Sequence, residues 1–371
     1  MLTTYYPPDT SGTATYLDSA VRGLREAEPE TNVTVVHFGG KQHRKGGPVS
    51  VDPVGPWCRL PTNLVALVRS IWLHSRNPFD LIVAGSAMPH GVPAGLLSMI
   101  VRRPFVVIAL GEEVGTDHRL GRRLLPLVLR SARRVIAVSA DTRSKVLASG
   151  AGPQQCEVVP PSIDPLPFLA GGTRARSSFR SRHGLEGQTV VLTVARLEAR
   201  KGHDTVLQAL SELRSELPDI HYLIVGKGDP GPLRDKARHL GMQDALTIVD
   251  FLEDDDYREA FAAADLFVML SRPGSQGEVE GFGIVYLEAA AAGLACVAGD
   301  LGGCTDAVED GHSGYCVDPL DPDAARDAIG ELLRDPGRAR SMGRNGRTRV
   351  LERFSSQVVR RRLSDEILSC A

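Results

Sequence analysis

The chain has 371 residues, of which 42% are hydrophobic and 24% are charged, and its formal net charge is -2 at pH 7. This composition excludes a disordered, collagen-like or coiled-coil chain, and the near-zero net charge argues against a general polyanion binder such as a nucleic-acid-binding protein. The six cysteines are scattered without a CxxC pair, so we expect neither a disulfide framework nor a zinc cage. No apolar run reaches the length of a membrane span and no leader pattern is present, so we expect a soluble cytoplasmic protein.

Short apolar, β-branched runs alternate with helical patterns along the chain, which is typical of parallel sheets covered by helices on both faces. We predict strands at residues 33–38, 81–84, 105–110, 135–139, 189–195, 220–225, 246–251, 266–270 and 295–298. Helical segments separate them, for example at residues 64–75, 204–217 and 323–334. The predicted fold class is therefore α/β, with two doubly wound, Rossmann-like domains.

The charge is distributed unevenly, because residues 1–160 carry a net charge of +6 and residues 161–371 a net charge of -8. This change of sign favours two domains with separate tasks. We predict domains over residues 1–165 and 178–350, a Pro/Gly/Ser-rich linker from Pro160 to about Ser178, and a C-terminal helix over residues 351–371 that packs back on the first domain. Only residues 1–4 precede the first turn, so the first strand is either unusually short or begins upstream.

The most informative motif is residues 280–288 (EGFGIVYLE), a glycine-rich loop that opens a helix. Backbone N–H groups at the start of a helix can bind an anion or sugar hydroxyls. Glu280 precedes the helix and Glu288 lies about two turns inside it, and carboxylates accept hydrogen bonds from sugar or ribose hydroxyls. The alternative is that Glu280 is a solvated loop residue and Glu288 a surface charge.

A second motif, residues 195–202 (ARLEARKG), follows the strand predicted at residues 189–195. Ligands of doubly wound sheets bind beyond the carboxyl ends of the strands, where these cations fall. Arg196 offers a planar fork to phosphate oxygens and Lys201 a mobile point charge. A solvated basic turn is the alternative.

Two further loops are weaker signals. Residues 226–231 (GKGDPG) match the dinucleotide fingerprint GxGxxG, with Asp250 downstream where such sites carry an acidic residue. Pro230 and Pro232 stiffen the turn where N–H donors are needed, so contact with a nucleotide base or ribose is favoured, with NAD binding as the alternative. Residues 7–13 (PPDTSGT) precede a helix, and Gly12 can let a phosphate approach the backbone, unless this is an ordinary strand-to-helix turn.

Together these motifs resemble those of the retaining glycosyltransferases of family 4. That family has the GT-B fold, two Rossmann-like domains facing a cleft, and includes bacterial mannosyl- and N-acetylglucosaminyltransferases. The resemblance spans nearly the whole chain. It rests on the Pro-Pro-x-x-x-Gly turn at residues 7–12, residues 159–164 (VPPSID) at the domain junction, the turn from Arg196 to Gly202 and, most specifically, the E-x7-E pattern of Glu280 and Glu288.

The resemblance implies that Arg196 and Lys201 neutralise the donor diphosphate and stabilise the leaving group, so that no metal ion or cofactor is needed. It also implies that Glu280 holds the donor sugar and that Glu288 binds the ribose hydroxyls. The remaining donor-binding residues that it implies are Gly12 at the phosphate across the cleft, Phe282, Gly283 and Ile284 beside the sugar, and Gly226, Gly228, Val249 and Phe251 at the base.

The implied activity is a metal-independent transfer, with retention, of a hexose or N-acetylhexosamine from a UDP- or GDP-sugar to an acceptor hydroxyl. Attack comes from the front face and a donor phosphate oxygen takes the acceptor proton, so neither carboxylate is a nucleophile. Lipid, aminocyclitol, thiol-precursor and polysaccharide acceptors stay open. The alternatives are an NAD-dependent oxidoreductase and a non-catalytic sugar-nucleotide-binding partner protein.

The acceptor side departs from the family's pattern. Ser162 stands where glycine is usual, and residues 110–113 (LGEE) replace a stretch that often carries a histidine. His90 is a candidate for the cleft, with a structural role as the favoured alternative.

An arginine-rich segment surrounds the apolar run at residues 124–129. Its arginines are Arg119, Arg122, Arg123, Arg130, Arg133 and Arg134. A basic amphipathic helix can lie on an anionic membrane, so peripheral contact with the inner face of the membrane is one hypothesis. Pro126 and the following strand favour a core helix with solvated ends.

Overall fold

The computed structural model describes residues 1–7, 11–37, 49–53, 62–111, 119–169, 172–275 and 277–371. The chain divides into two compact units, unit 1 (Met1–Ser162 with Ser356–Ala371) and unit 2 (Ile163–Ser355). Every strand pair in both sheets is parallel, as the apolar runs predict. The α/β class is therefore confirmed.

Unit 1 has a seven-stranded sheet in the order β3-β2-β1-β4-β5-β6-β7. The strands are β1 (Leu2–Thr3), β2 (Val33–His37), β3 (Val49–Pro53), β4 (Ile82–Ala84), β5 (Phe105–Ala109), β6 (Arg134–Ala137) and β7 (Cys156–Val158). The helices between them are α1 (Gly12–Ala27), α2 (Thr62–Arg76), α3 (Gly91–Val101), α4 (Arg119–Ser131) and α5 (Ala140–Ala148). One apolar cluster joins α2, α3, α4 and α5 to one face of the sheet, and a second joins α1 to the other face.

The first strand is short but central. Leu2 pairs with Val36 of β2 and with Ala84 of β4, so β1 has a neighbour on each side. Pairing continues beyond the strand, because the amino group of Met1 donates to the Thr34 carbonyl at 2.7 Å. In this chain β1 is therefore a central strand of the sheet.

Unit 2 has a six-stranded sheet in the order β10-β9-β8-β11-β12-β13. The strands are β8 (Thr189–Val194), β9 (Ile220–Val225), β10 (Leu246–Val249), β11 (Leu266–Met269), β12 (Cys296–Gly299) and β13 (Gly314–Val317). The helices are α6 (Leu166–Leu169), α7 (Thr173–His183), α8 (His203–Leu213), α9 (Gly231–His239), α10 (Asp254–Ala263), α11 (Ile284–Ala292), α12 (Cys304–Ala307), α13 (Pro322–Arg334) and α14 (Pro336–Arg349). Apolar clusters cover both faces of this sheet too.

The last helix, α15 (Ser356–Leu368), belongs to unit 1, where it packs against α1. Val359, Leu363 and Ile367 are fully buried in the same apolar cluster as the inner side of α1. A π-helical turn at Val350–Phe354 and extended backbone at Ser355 precede this helix.

Several elements differ from the sequence prediction. Strands β3, β7 and β13 were not predicted, because β3 has little apolar character and the other two are short sheet edges. Part of the expected linker is helical in α7, which buries Phe179 and joins Arg176 and Arg180 to the carboxylate of Asp265 at 2.5 and 2.7 Å. Long-range packing and ion pairs therefore order a segment whose composition indicates a linker.

Candidate active site

The basic turn of residues 195–202 lies at the carboxyl edge of the unit 2 sheet. Strand β8 ends at Val194, and a 3-10 turn at Ala199–Lys201 leads to Gly202, whose φ of 71° is in the left-handed region. A Cβ atom at Gly202 would lie 2.1 Å from the carbonyl oxygen of Leu270, just beyond β11. Because β8 and β11 are central neighbours in the sheet, the turn places its cations at the ends of two central strands.

Lys201 and Glu280 form a buried ion pair. The Lys201 ammonium donates to Oε2 of Glu280, the side chains of the pair are 11% and 15% exposed, and Nη1 of Arg200 lies 3.7 Å from the same oxygen. The Ser271 hydroxyl donates to that oxygen at 3.5 Å. Burial alone would raise the pKa of Glu280, but Lys201, Arg200 and Ser271 together hold it below its ordinary value. Glu280 is therefore a carboxylate across the neutral pH range.

Arg196 takes a different position from Lys201. Its side chain is 64% exposed, and Nη1 lies 2.5 Å from Oε1 of Glu198, whose other oxygen accepts from Nε of Arg200 at 2.9 Å. Glu198 thus bridges Arg196 to the Arg200 guanidinium behind Glu280. The sequence motif indicated Arg196 and Lys201 but not Glu198 or Arg200, although both stand inside the same eight residues.

The loop that precedes α11, residues 280–283, is fixed by contacts with Gly303 and Phe354. The N–H of Gly303 donates to the Glu280 carbonyl at 2.9 Å, and a Cβ atom at Gly303 would lie 2.0 Å from the carbonyl oxygen of Gly281. Phe282 is buried and its ring contacts Phe354, so only its main chain can face a ligand. These contacts fix the position of the loop's main chain.

Helix α11 starts without a side-chain cap. Gly283, with a φ of 84°, stands at the cap position and has no side chain to accept hydrogen bonds. The first N–H groups of a helix have no partner within the helix, and for Ile284 and Val285 no other acceptor occurs among the described residues. This end of α11 therefore offers N–H donors close to the Glu280 carboxylate in sequence.

Glu288 lies two turns inside α11 and is paired with a phenol. Its Oε2 accepts a hydrogen bond from the Tyr257 hydroxyl at 2.7 Å, and Tyr257 belongs to α10. Burial raises the pKa of Glu288 to about 7, against the lowering effect of that hydrogen bond. No sequence motif pointed to Tyr257, because its contact with Glu288 is set by the packing of α10 on α11.

The loops after β8, β9 and β10 meet at the same edge of the sheet. The N–H of Gly226 donates to the Val249 carbonyl at 2.8 Å, and a Cβ atom at Gly226 would lie 1.8 Å from the Ala195 carbonyl oxygen. Gly228 has a φ of 143° that favours glycine. Phe251 is 63% exposed, with the Lys227 ammonium 4.9 Å from its ring centroid. The predicted base-binding residues are thus brought together in unit 2.

The GxGxxG match does not form a pyrophosphate cradle. The Asp229 side chain accepts a hydrogen bond from the Gly231 N–H at 2.9 Å, at the start of α9. In a dinucleotide site this helix end must offer its N–H groups to phosphate oxygens. A carboxylate already placed there repels an anion, so the geometry disfavours NAD binding.

In unit 1, Gly12 is the exposed first residue of α1, and the Ser11 hydroxyl caps that helix by accepting from the Ala14 N–H at 3.2 Å. Residues 8–10 of the same turn, and Glu112 and Glu113, lie outside the described residues. His90 is buried, with Nε2 2.8 Å from the Thr4 hydroxyl and Nδ1 2.7 Å from the Ser86 hydroxyl. Burial lowers its pKa to about 4, so His90 is neutral and built into the fold.

Within the described part of the chain, no group of three or more His, Cys, Asp or Glu side chains is arranged to hold a metal ion. No helix of that part is long and apolar enough to cross a membrane.

Comparison with known proteins points to glycosyl transferases for both units. Residues 175–349 match the family described as "Glycosyl transferases group 1", and residues 11–162 match that described as "Glycosyl transferase 4-like domain". The chain is 34% identical over 378 aligned residues to a GDP-mannose-dependent alpha-(1-6)-phosphatidylinositol monomannoside mannosyltransferase of Mycolicibacterium smegmatis, covering 100% of this chain and 97% of the relative. It is 35% identical over 230 residues to a D-inositol 3-phosphate glycosyltransferase of Acidothermus cellulolyticus, covering 58% and 49%.

Among solved structures, the chain is similar to the HepE protein of Anabaena in complex with UDP, with a TM-score of 0.81, 20% identity and 99% of each chain covered. It is also similar to WaaG, a glycosyltransferase of lipopolysaccharide biosynthesis, with a TM-score of 0.72, 19% identity and 99% and 98% of the two chains covered. These likenesses confirm the predicted GT-B fold.

Proposed function

The chain belongs to the group 1 glycosyl transferases, the retaining GT-B enzymes of family 4 that use nucleotide-sugar donors, and on this premise we propose that it transfers mannose from GDP-mannose to a lipid bearing a phosphoinositol headgroup. The relative from Mycolicibacterium smegmatis, whose name states a GDP-mannose donor and a phosphatidylinositol monomannoside acceptor, aligns over the whole chain. A D-inositol 3-phosphate glycosyltransferase is a further relative, so an inositol phosphate acceptor is common to both names. Family membership decides against the oxidoreductase and against a non-catalytic partner protein.

The observation that carries the proposed chemistry is the buried pair of Lys201 and Glu280 with Arg200 behind it. As the sugar leaves, the donor diphosphate gains negative charge, and a cation held in a site with little water stabilises that charge strongly. Lys201 is buried and already oriented, so little reorganisation is needed. Arg196 is exposed, and we assign it to capture of the diphosphate from solvent.

Glu280 positions the donor sugar in this proposal. Its contacts with Lys201, Arg200 and Ser271 all go to Oε2 among the described residues, which leaves Oε1 to accept hydrogen bonds from sugar hydroxyls. The lowered pKa keeps this oxygen an acceptor. The N–H groups of Phe282, Gly283 and Ile284 line the same loop and complete the sugar and phosphate contacts.

The nucleoside part of the donor is assigned to the other loops. Glu288 accepts hydrogen bonds from the ribose hydroxyls, the main chain of Val249 with the glycines of residues 226–228 borders the base, and Phe251 supplies an exposed ring beside it. Gly12 is assigned to the phosphate as the resemblance implies. The bond between the sugar's anomeric carbon and the donor phosphate breaks, and the bond to the acceptor oxygen forms on the same face. A donor phosphate oxygen takes the acceptor proton, so no enzyme nucleophile is required.

We place the enzyme in the cytoplasm, where it would act at the inner face of the membrane. The five cysteines among the described residues are unpaired, which suits a reducing compartment. A lipid acceptor then requires the protein to approach a bilayer.

The test compares donors and acceptors with the purified chain. GDP and GDP-mannose should raise the unfolding temperature more than UDP or UDP-glucose, and NAD should have no effect, because only a bound ligand shifts the unfolding equilibrium. Radiolabelled mannose should pass from GDP-mannose to phosphatidylinositol monomannoside in detergent micelles, and NMR should show an α-linked product. Protection and transfer with a UDP-sugar alone would reject the proposed donor, and transfer to a water-soluble acceptor alone would reject the lipid.

A further inference from the structure

A buried histidine joins the two ends of the basic turn of residues 195–202. His203 is the first residue of α8 and directly follows Gly202, where that turn ends. His203 is only 2% exposed, and its Nε2 atom lies 3.0 Å from the carbonyl oxygen of Arg196, near the start of the same turn. One side chain therefore closes the turn that carries Arg196 and Lys201.

The main chain of Arg196 has few other contacts. The N–H groups of the residues on either side of it donate to carbonyls of β9 and of the loop after β9, at 3.0 and 2.8 Å. Among the described residues the Arg196 N–H makes no such bond, and the Arg196 carbonyl accepts only from the Glu198 N–H at 2.8 Å and from His203. A bond to an N–H two residues ahead closes only a three-residue turn. His203 is therefore what links Arg196 to the body of unit 2.

The second ring nitrogen connects the histidine to the sheet. Nδ1 faces the hydroxyl of Tyr222 in β9 at 3.4 Å, and that hydroxyl lies 2.9 Å from the hydroxyl of Thr193 in β8. The Thr193 hydroxyl donates to the carbonyl of Val268 in β11. Because His203, Tyr222 and Thr193 are buried, little water competes for these contacts, and they hold the ring in one position.

The protonation of the ring follows from its partners. A carbonyl oxygen only accepts hydrogen bonds, so Nε2 carries the hydrogen that the Arg196 carbonyl receives. Burial lowers the pKa of His203 below its ordinary value, against the raising effects of the Arg196 carbonyl and of Asp204. At neutral pH the ring is therefore uncharged, and its single N–H group is the one that faces Arg196.

We propose that His203 is a positioning residue for the donor diphosphate, because its Nε2–H group fixes the Arg196 main chain and so holds the exposed Arg196 guanidinium where the diphosphate binds. A long side chain loses less conformational freedom on binding when the main chain that carries it is already fixed. His203 is not itself a catalytic residue, since it is buried and both ring nitrogens face other groups of unit 2. The inference rests on the proposed role of Arg196, but not on the choice of nucleotide base.

Two matched substitutions of His203 test the contact. His203→Gln keeps an N–H donor at about the reach of Nε2, whereas His203→Met has a similar length and no donor. Calorimetric titration measures the affinity for GDP and for UDP, and the variants are compared with whichever nucleotide binds the wild type more tightly, because both carry the diphosphate. We expect His203→Met to weaken binding about fivefold, as for the loss of one hydrogen bond, and His203→Gln to keep nearly the wild-type affinity.

The control removes another buried histidine of the same sheet. His221 lies near the start of β9, and its Nε2 atom is 2.8 Å from the Thr247 hydroxyl in β10. His221→Met should lower the unfolding temperature as His203→Met does, but should leave the affinity for the nucleotide unchanged. Where thermal unfolding shows that His203→Met does not fold, His203→Asn takes its place, because the shorter amide does not reach the Arg196 carbonyl.

A double variant distinguishes positioning from general support of the fold. Arg196→Gln alone should weaken binding about tenfold, and adding His203→Met should cause no further loss, because the histidine acts only through Arg196. Losses that add in the double variant, equal losses in His203→Gln and His203→Met, or wild-type affinity in His203→Met would each overturn the inference. Wild-type affinity in Arg196→Gln would reject the proposed role of Arg196 and the inference together.

Discussion

The two glutamates of the E-x7-E motif stand in different environments. Glu280 contacts the Lys201 ammonium with Arg200 behind it, and its pKa is lowered in spite of burial. Glu288 receives only the Tyr257 hydroxyl among the described residues, and burial raises its pKa to about 7. A cation in contact outweighs the cost of burying a carboxylate, and a neutral hydroxyl does not. One motif therefore supplies a carboxylate that stays ionised at neutral pH and a second that gains a proton near neutral pH.

The effects of the two glutamates on stability also differ in sign. The folded pKa of Glu280 lies below its ordinary value of 4.5, so its ionisation stabilises the fold above that pH and the stabilisation is lost on acidification. Glu288 has its pKa raised from 4.5 to about 7, so the folded state binds a proton more tightly than the unfolded one. The free energy of unfolding therefore falls as pH rises from about 4.5 to about 7 on account of Glu288.

Removing the cation from the first glutamate should have the largest effect. Lys201→Met takes away the buried charge that stabilises the leaving diphosphate and lets the pKa of Glu280 rise. We expect kcat to fall by a factor of about 10² to 10³, as for the loss of one transition-state donor in other enzymes. Initial rates of mannose transfer measure this loss.

Two controls accompany that variant. Lys236→Met removes a lysine of α9 outside the site and should keep the wild-type rate. Lys201→Met combined with Glu280→Gln removes the unpaired buried charge, so its unfolding temperature should exceed that of the single variant while its activity stays low. A single variant that folds and turns over normally contradicts the assigned role of Lys201.

Neutralising the second glutamate should weaken donor binding and stabilise the protein. Glu288→Gln cannot ionise, so above pH 7 it avoids the cost of burying a charge, on the order of 3 kcal/mol for the pKa shift involved. We expect a higher unfolding temperature than wild type at pH 8 and little difference at pH 5. The loss of an ionic acceptor for ribose should weaken GDP binding about tenfold.

Calorimetric titration with GDP and thermal unfolding at the two pH values test both parts. Glu352→Gln is the matched control, because this glutamate of unit 2 is exposed and lies outside the site, so it should change neither quantity. Equal stabilisation at pH 5 and pH 8 would show that Glu288 does not carry the raised pKa.

The sequence predicted the fold class well because strand runs and helix patterns are local signals. The apolar runs that become β8, β9 and β11 ended within one residue of their predicted ends. β7 and β13 were missed since a short edge strand needs its neighbour to exist, and the order in α7 depends on Asp265, which is remote in sequence. The predictions that failed concern elements whose structure depends on contacts with residues remote in sequence.

The site shows the same division. The motifs singled out Lys201, Glu280 and Glu288, and the structure brings the first two into contact. Spacing could not reveal that Glu288 pairs with Tyr257, nor that the two carboxylates have opposite pKa shifts, because both facts arise from the side chains of other elements. The sequence shows which residues are charged but not which side chains contact them in the fold.

Removing the Tyr257 hydroxyl should raise the pKa of Glu288 further. In wild type, donor binding should weaken as the pH falls below about 7, because protonated Glu288 accepts fewer hydrogen bonds from ribose. Tyr257→Phe removes the donor that lowers the pKa of Glu288, so the midpoint of this loss should rise by about one pH unit. At neutral pH the affinity for GDP should fall a fewfold, measured by titration across the pH range. An unchanged midpoint would mean that Tyr257 does not control the ionisation of Glu288.

The smallest effect should come from Arg272, which contacts the basic turn of residues 195–202 and not Glu280 itself. The N–H of Arg272 donates to the Arg200 carbonyl at 2.8 Å, and its guanidinium lies 2.9 Å from the carboxylate of Asp204, just after the turn. Arg272 thus fixes the position of Arg200 and Lys201 on both sides. Arg272→Gln keeps the main-chain contact and loses the ion pair, which is partly exposed, so we expect kcat to fall only about threefold.

The loss of activity at low pH distinguishes a positioning role of Arg272 from a merely structural one, when the rates of Arg272→Gln and wild type are compared across the pH range. A looser turn holds Lys201 and Arg200 less firmly against Glu280, so the pKa of Glu280 should rise and activity should be lost at a higher pH than in wild type. The limb governed by Glu288 should stay where it is, because Arg272 has no contact with that residue among those described. A uniform loss of rate at every pH would instead indicate a general loss of folded protein.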